Sequence, residues 1–142
     1  MIKFELVTLD GTKFGDLVHE VMLPTPDGHV AIFEHHSPLV SLATPGIITI
    51  RRKESDPDER LEFFATNGGV VEIVDNTVRL LADEADHAEE INEQEAKKAY
   101  DDAQNLLRQA KDQVSLDHAQ TLIDRSAVRL KVAGLRRRAR HR

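Results

Sequence analysis

Two runs of apolar and β-branched residues flank a single turn in the stretch GVVEIVDNTVRLL, residues 69–81. Asp75-Asn76 lies between the two runs, and both residue types accept the left-handed backbone that a two-residue hairpin turn requires. The stretch therefore predicts a β-hairpin.

The residues before this hairpin show the same pattern of short strands and turns. Turn formers occur at Asp10-Gly11 and in the stretch PTPDG, residues 24–28. Strand-like runs lie around them, at residues 4–6, 18–23, 46–50 and 61–65. Such spacing favours an antiparallel sandwich or barrel, and no stretch before residue 83 has the length and period of a helix. The charged segment 52–60 is expected to be a solvated loop.

The period of the apolar residues becomes helical after Leu81. Asp86, with Glu89 three positions later, predicts a helix start of the capping-box type. A first helix then shows apolar residues at spacings of three to five. They are Ala88, Ile91, Ala96, Ala99, Tyr100, Ala103, Leu106, Leu107 and Ala110.

A break near Val114 precedes a second helix, for which Ser115 is the expected N-cap. Because the connection is short, the two helices, each of about 25 residues, are expected to be antiparallel neighbours. The apolar stripe of the second helix consists of Ala119, Leu122, Ile123, Ala127, Leu130 and Ala133. The predicted fold class is α+β in two parts: an N-terminal antiparallel β-sandwich, residues 1–84, followed by a C-terminal antiparallel two-helix hairpin, residues 85–142.

The seam of this helical hairpin is mostly alanine. An alanine contributes about one methyl group of burial, ~0.8 kcal/mol, so the two helices can be separated by a competing partner at small cost. Two interpretations stay open at this point. The hairpin is either a purely structural helix pair or an element that switches between two positions.

Composition and charge exclude some classes of protein chemistry and indicate the kind of partner. The 142-residue chain has no cysteine, which excludes disulfides and thiol chemistry. The net charge is −6, but residues 83–113 hold ten acidic residues, whereas residues 125–142 hold eight Lys or Arg and no acid. Such segregation concerns partners rather than the fold. With no apolar run of the ~18 residues that a membrane span needs, any membrane association is expected to run through a partner.

No motif predicts a catalytic, cofactor or metal site. Gly68-Gly69 lacks the lysine and spacing of a phosphate-binding loop, and nothing in the sequence places two of the 25 acidic residues in one pocket. His19, His29, His35 and His36 lie near Glu34, but neighbouring histidines in an extended segment point to opposite sides. We therefore predict no enzyme activity, no cofactor and no metal.

Several motifs resemble those of the epsilon subunit of bacterial-type F-type ATP synthases. The stretch PTPDGHVAIFEHHSPLV, residues 24–40, is similar to the family pattern P-T-x-x-G-x-x-G-I-L-P-x-H-x-P-L. The stretches LATPG (42–46), NGGVVEI (67–73) and TVRLLA (77–82) resemble later motifs in the same order. The chain departs from the pattern at Ala31 and at Phe33-Glu34. The resemblance covers nearly the whole chain.

This resemblance implies a non-catalytic rotor subunit of a proton-translocating ATP synthase. Its head would bind the gamma subunit and the c-ring, with His29, His36 and Pro38 on the c-ring side. Its C-terminal helix would inhibit ATP hydrolysis through contacts with the alpha and beta catalytic subunits, made by Arg125, Arg129, Arg136, Arg137 and Arg138. The subunit would be peripheral, at the cytoplasmic face of the cell membrane, and held there only through the complex.

Some members of this family bind ATP through an I-D-x-x-R-A motif. The matching stretch here is INEQEA, residues 91–96, in which Ile91 and Ala96 are kept. Asn92 replaces the aspartate, and Glu95 replaces the arginine that would meet phosphate, so attraction becomes repulsion. We predict no useful ATP binding at this degenerate motif, with control by nucleotide elsewhere or by proton-motive force.

One alternative is a stand-alone binding module whose basic tail recruits nucleic acid. Arg136 to Arg138, with Arg140 and Arg142, are typical of such tails. Against this interpretation, the chain is acidic overall and its basic region has no aromatic residue. A solvated, frayed end is a further alternative. The resemblance favours a partner that is not nucleic acid.

Overall fold

The computed structural model describes residues 1–140, with side chains up to Ala139. Arg142, part of the basic tail, lies outside the described residues. Residues 1–140 form ten strands, two short 3-10 helices and two α-helices. The strands are β1 (Ile2–Thr8), β2 (Gly11–Val18), β3 (Glu20–Thr25), β4 (Gly28–Ile32), β5 (Leu39–Ala43), β6 (Gly46–Arg51), β7 (Glu62–Thr66), β8 (Gly69–Val74), β9 (Thr77–Ala82) and β10 (Ala85–His87). The 3-10 helices are Asp58–Arg60 and Ala88–Glu90, and the α-helices are α1 (Glu93–Gln109) and α2 (Gln113–Arg140).

The strands form two five-stranded sheets that pack face to face, as the predicted sandwich requires. The first sheet has the order β2-β1-β9-β8-β5 and the second has the order β10-β7-β6-β3-β4. All pairs are antiparallel except β1 with β9, which is parallel. The predicted hairpin is confirmed: Val74 pairs with Thr77, and Asp75 and Asn76 both have positive φ, 49° and 56°.

Alternating residues of both sheets fill the space between them, because successive side chains of a strand point to opposite faces. Aliphatic and phenylalanine side chains form this core. Its largest fully buried members are Phe4, Phe64, Ile2, Leu6, Leu23, Ile32, Ile48, Ile50, Ile73, Leu80, Val18 and Val21.

The backbones of β5, β8 and β9 approach one another closely at Gly68-Gly69. A Cβ at Gly69 would lie 2.0 Å from the carbonyl oxygen of Leu81, and one at Gly68 would lie 2.5 Å from that of Ala43. Gly68 also has a φ of +100°, which other residues rarely adopt. Glycine is therefore required here by backbone packing rather than by a ligand.

The helical hairpin folds back on the outer face of the second sheet, an arrangement that we call docked. A second apolar cluster forms there, separate from the core between the sheets. It consists of Ile47, Ala65, Ala88, Ile91, Ala96, Val132 and Ala133, with Phe63, Val128, Leu130 and Leu135 packed against it. Only the C-terminal half of α2 belongs to this cluster, so the tip of the hairpin extends away from the sandwich.

The two helices differ in length, with 17 residues in α1 and 28 in α2. The prediction of about 25 residues each was therefore too long for α1. Small residues do form the seam, where Ala103, Ala119 and Ser126 are buried. Ala99 and Ala127, which were assigned to the apolar faces, are exposed instead.

The predicted start of the first helix was wrong. Asp86 lies in β10, where it pairs with Ala65 of β7, so the backbone hydrogen-bonding groups of this segment pair along the edge of the sheet instead of within a first helical turn. The N-cap of α1 is Asn92, whose side chain accepts a hydrogen bond from the Glu95 N–H at 3.0 Å. The sandwich thus extends to His87, three residues beyond the predicted boundary at residue 84.

The predicted cap of the second helix was also wrong. Ser115 lies inside α2, and its N–H donates to Asp112 Oδ1 at 2.7 Å. Asp112 is therefore the residue that caps α2, where its negative charge is also favoured by the helix dipole.

The loop 52–60 is tied to the sandwich at its first residue. Arg52 donates to both Glu62 of β7 and Asp16 of β2, and its guanidinium lies 4.9 Å from the Phe14 ring centroid. Because Asp16 and Glu62 belong to different sheets, Arg52 joins the two layers of the sandwich.

Neither helix in residues 1–140 combines the length and the apolar character that crossing a membrane would take.

Candidate interaction surfaces

The segment 33–38, which connects the two sheets between β4 and β5, contains two of the predicted partner-binding residues. His36 is half-buried, with Nδ1 2.7 Å from the Ser37 carbonyl oxygen, and Pro38 is exposed. The loop is held by Asn76, whose Oδ1 accepts a hydrogen bond from the His35 N–H at 2.8 Å. His35 has a φ of 62°, so its backbone needs such support.

His29 does not lie beside His36. It pairs with Pro24 at the opposite end of β4, next to the β3–β4 turn. There it lines a cavity of about 250 Å³ between the sandwich and α2, together with Val128 and Lys131. The predicted residues therefore lie at opposite ends of the edge strand β4, with His29 near its start and His36 and Pro38 in the loop that follows the strand.

An apolar row that was not among the predicted surfaces crosses the outer face of the first sheet. Leu42, Val70, Leu81 and Val7 lie opposite one another on β5, β8, β9 and β1. At about 4.8 Å per strand, the row is roughly 14 Å long. Leu81 is 51% exposed. Large apolar side chains grouped in this way mark an interaction site.

A signal for the apolar row is present in the sequence. A strand with one solvated face should alternate apolar and polar residues. The pairs Val70-Val71 and Leu80-Leu81 break this alternation, since one member of each pair is buried and the other is exposed.

A charged row lies next to the apolar row on the same face. Glu72, Arg79 and Glu5 are neighbours on β8, β9 and β1. Arg79 Nε donates to Glu5 Oε2 at 2.9 Å, and Lys3 Nζ lies 3.2 Å from Glu5 Oε1. These cations lower the pKa of the Glu5 carboxyl. An apolar centre beside a polar rim is the usual arrangement of a protein–protein interface.

The predicted inhibitory arginines lie along α2, and most of them contact acceptors of the chain itself. Arg125 binds Glu84 through two nitrogens, with Nε 2.9 Å from both carboxylate oxygens. Arg129 donates to Asp86 and lies 3.7 Å from Glu84 Oε1. The Arg125 hydrogen bond holds the pKa of the Glu84 carboxyl below its ordinary value, with Arg129 adding to the effect.

The next arginines continue this pattern toward the C-terminus. Arg136 donates to the carbonyl oxygens of Ala88 and Ile91. Arg137 donates to Glu93 Oε1 at 2.7 Å. Arg138 differs from them, since its Nε lies 3.4 Å from the Gly134 carbonyl oxygen on its own helix.

The degenerate ATP motif lies at the start of α1. Ile91 and Ala96 are buried in the apolar cluster beneath α2. The Asn92 side chain caps α1, and the Glu95 side chain is exposed. This stretch therefore stabilises the docked hairpin through packing and helix capping.

Among the described residues 1–140, no group of three or more His, Asp or Glu side chains is arranged to hold a metal ion. A cavity of about 140 Å³ lies beside the end of α2 and is lined by Glu62, His87 and Arg136 among others. Arg136 is already engaged by backbone carbonyls there.

Comparisons with known proteins give the same two-part division. A family model of the ATP synthase delta/epsilon chain β-sandwich domain matches residues 1–88. A second model, of the delta/epsilon chain long α-helix domain, matches residues 89–134. The sequence is 34% identical over 137 residues to the ATP synthase epsilon chain of Herpetosiphon aurantiacus, covering 96% of each chain. It is 32% identical to that of Chloroflexus aggregans, covering 94% of this chain and 93% of the relative.

Solved structures share the fold at lower sequence identity. A chain of the Euglena gracilis mitochondrial ATP synthase (OSCP/F1/c-ring) has a TM-score of 0.78 and 20% identity, covering 93% of this chain and 80% of that one. A chain of the Tetrahymena thermophila mitochondrial ATP synthase central stalk/c-ring has a TM-score of 0.63 and 14% identity, covering 92% and 95%.

Proposed function

The chain belongs to the ATP synthase delta/epsilon family, and on that premise we propose that it is the non-catalytic epsilon subunit of the central stalk of an F-type ATP synthase. Its head couples the rotating c-ring to the gamma shaft. The observation that carries this function is the exposed apolar row on a sandwich whose two sheets share one continuous core.

The apolar row is the surface that binds gamma. Leu42, Val70 and Leu81 offer a contact area that loses water on association, and the charged row next to it orients the partner. Transmission of torque requires a rigid head, and the close-packed core between the sheets meets that requirement.

The edge that carries segment 33–38 is the surface that faces the c-ring. His36 and Pro38 lie in this loop, which Asn76 holds in one conformation. His29 lies at the other end of β4, so the contact with the ring runs along the edge strand. The subunit is thereby held as a peripheral component at the cytoplasmic face of the membrane.

The experiment that tests this function is a binding assay with purified gamma subunit and with isolated c-ring. Leu81→Glu places a charge in the apolar row and should weaken gamma binding at least tenfold, about 1.4 kcal/mol or more. Leu106→Glu is the matched control. The exposed fraction of Leu106, 47%, is similar to that of Leu81, but Leu106 lies near the tip of the helical hairpin. Equal gamma binding by the two variants would contradict the assignment of the surface, and no binding by the wild-type chain would contradict the function.

The hairpin adds an inhibitory function. When α2 is released, Arg125, Arg129, Arg136 and Arg137 lose their acceptors in the rest of the chain. Together with Arg138, they can then bind acidic segments of the alpha and beta catalytic subunits. A chain ending at Asp112 lacks α2 but keeps β10, whereas a chain ending at Ala85 would lose most of that strand. We expect the chain ending at Asp112 to raise ATP hydrolysis by the assembled enzyme without loss of coupling, and unchanged hydrolysis would contradict inhibition.

A further inference from the structure

The contacts between α2 and the segment 84–93 form an ordered series. Glu84 meets Arg125, Asp86 meets Arg129, and Glu93 meets Arg137. Arg136 binds the carbonyl oxygens of residues 88 and 91, between the last two of these pairs. The segment and the helix therefore run in the same direction, and their contacts follow one another in register.

Helix geometry places the main arginines of this series on one face. Counted from Arg125, Arg129 lies four residues later and Arg136 eleven residues later. At 100° per residue, the three side chains leave the helix axis within about 40° of one another. We call these three residues the arginine face. Val132, a buried member of the apolar cluster, also lies on the docked side of α2. The contacts of the arginine face therefore lie along the border of the apolar cluster.

The apolar contact is formed by alanines together with larger side chains. Its members are Ala65, Ala88, Ala96, Ala133, Ile47, Ile91 and Val132, with Phe63, Val128, Leu130 and Leu135 packed against them. The charged contacts add to this apolar contact and are lost when the hairpin is released. Two of the three ion pairs in the series are made by Glu84, just before β10, and by Asp86 within β10.

We propose that Glu84 and Asp86 act as an internal acidic competitor, which occupies Arg125 and Arg129 of the arginine face in the docked hairpin and withholds them from acidic segments of the catalytic subunits. This inference rests on the proposed inhibitory function of α2 and names how that function is controlled. A partner gains the arginines only by displacing these two carboxylates. A ligand can shift such an equilibrium only by its differential affinity for the two states, so the internal carboxylates set the affinity that the partner must exceed. No nucleotide is needed to hold the docked state.

The test measures docking in the isolated full-length chain. Because the sequence has no cysteine, the double variant Asp27→Cys/His118→Cys can be spin-labelled at two exposed positions, one on the β3–β4 turn and one on α2. The distance distribution between the labels then reports the docked and released populations. The binding of the same proteins to gamma and c-ring is measured in parallel.

Glu84→Gln with Asp86→Asn in the labelled chain removes the competitor while keeping similar side-chain volumes. We expect the ratio of released to docked molecules to rise roughly three- to tenfold, because two half-exposed ion pairs are lost. Raising the salt concentration should release the hairpin in the wild type and have less effect in this variant. The control Glu90→Gln with Glu95→Gln makes the same change in net charge at exposed positions of the neighbouring segment. Equal distance distributions in the two variants would overturn the proposal.

A charge exchange separates the ion pair from damage to the fold. Glu84→Arg alone should release the hairpin, and adding Arg125→Glu should restore docking. If the second change fails to restore the docked distance, while thermal unfolding shows an intact sandwich, the proposal is overturned. In the assembled enzyme, the Gln/Asn variant should inhibit hydrolysis more strongly than the wild type.

The outcomes separate this inference from the proposed function. Gamma binding should be unchanged in the Gln/Asn variant, because the apolar row lies on the outer face of the first sheet, whereas α2 packs on the second. A chain that binds gamma and the c-ring but shows no effect of Glu84 and Asp86 on docking keeps its proposed function and loses the internal competitor.

Discussion

Asn76 Oδ1 accepts a hydrogen bond from the His35 N–H at 2.8 Å, across 41 positions of the chain. The Asn76 Nδ2 group donates to the Met1 carbonyl oxygen at 3.0 Å. One side chain in the β8–β9 turn therefore holds both the start of β1 and the loop between the two sheets.

The contribution of these two hydrogen bonds can be tested by comparing two glycine substitutions in one turn. Asn76→Gly removes both hydrogen bonds and should lower the free energy of unfolding by about 1 kcal/mol and weaken c-ring binding. Asp75→Gly is the control, because Asp75 also has a positive φ, which glycine adopts without strain. Urea denaturation measures the difference, and equal stability of the two variants would show that the Asn76 hydrogen bonds contribute nothing to the free energy of unfolding.

The close approach at Gly69 predicts a severe effect of one methyl group. Gly69→Ala would bring its Cβ against the Leu81 carbonyl oxygen, so β8 and β9 must separate, and we expect a loss of about 3 kcal/mol or more. Gly15→Ala is the control, since its Cβ would meet only Thr12 Cγ2 at 3.5 Å. Thermal unfolding of both variants measures this, and a stable Gly69→Ala variant would contradict the packing described here.

Arg52 is expected to stabilise the sandwich by joining its sheets. Arg52→Met keeps much of the side-chain volume but loses the contacts with Asp16 and Glu62, and should cost about 1 kcal/mol because the guanidinium is partly exposed. Arg60→Met serves for comparison, because Arg60 lies 3.7 Å from Asp56 within one loop. A similar shift of the urea midpoint in both variants would show that Arg52 stabilises only the loop and not the contact between the two sheets.

Docking of the hairpin should weaken in acid. Glu84 faces Arg125 and Arg129 from α2, and the Arg125 hydrogen bond, together with the charges of the two guanidinium groups, holds the pKa of its carboxyl below the ordinary value of 4.5. A carboxyl with a lowered pKa contributes stability above its ordinary pKa, and that contribution is lost as the pH falls through the lowered value. The spin-label distances should therefore shift toward release in titrations below pH 4.5.

The same titration of Glu84→Gln provides the control for this pH dependence. A glutamine does not ionise, so its released fraction should already be raised near neutral pH and should change less in acid. Identical acid profiles for the variant and the wild type would assign the pH response to other carboxyls.

The degenerate motif predicts that the isolated chain does not bind ATP. Asn92 is used as a helix cap, Glu95 carries a negative charge, and Arg137 is engaged by Glu93. Calorimetric titration with Mg-ATP should show no saturable binding tighter than about 1 mM, equivalent to about −4 kcal/mol. Saturation in the micromolar range would contradict this prediction.

The strands and the two-part organisation were predictable because their signals are local. Alternation in residues 69–81 and the turn at Asp75-Asn76 act between neighbours in the chain. The first helix start was not predictable in this way. The pattern of Asp86 and Glu89 satisfies a capping box, but pairing with Ala65, twenty-one positions earlier, decides the conformation of that segment.

The sequence by itself determined the β-then-helical order, the small residues of the hairpin seam and the separation of acidic from basic segments. Only the tertiary structure decided that Leu42, Val70 and Leu81 form one row, because that row depends on β5, β8 and β9 being neighbours in one sheet. It also decided which carboxylates meet the arginines. The physical reason is that periodicity acts over a few residues, whereas an interaction surface depends on strand order and on where a helix docks.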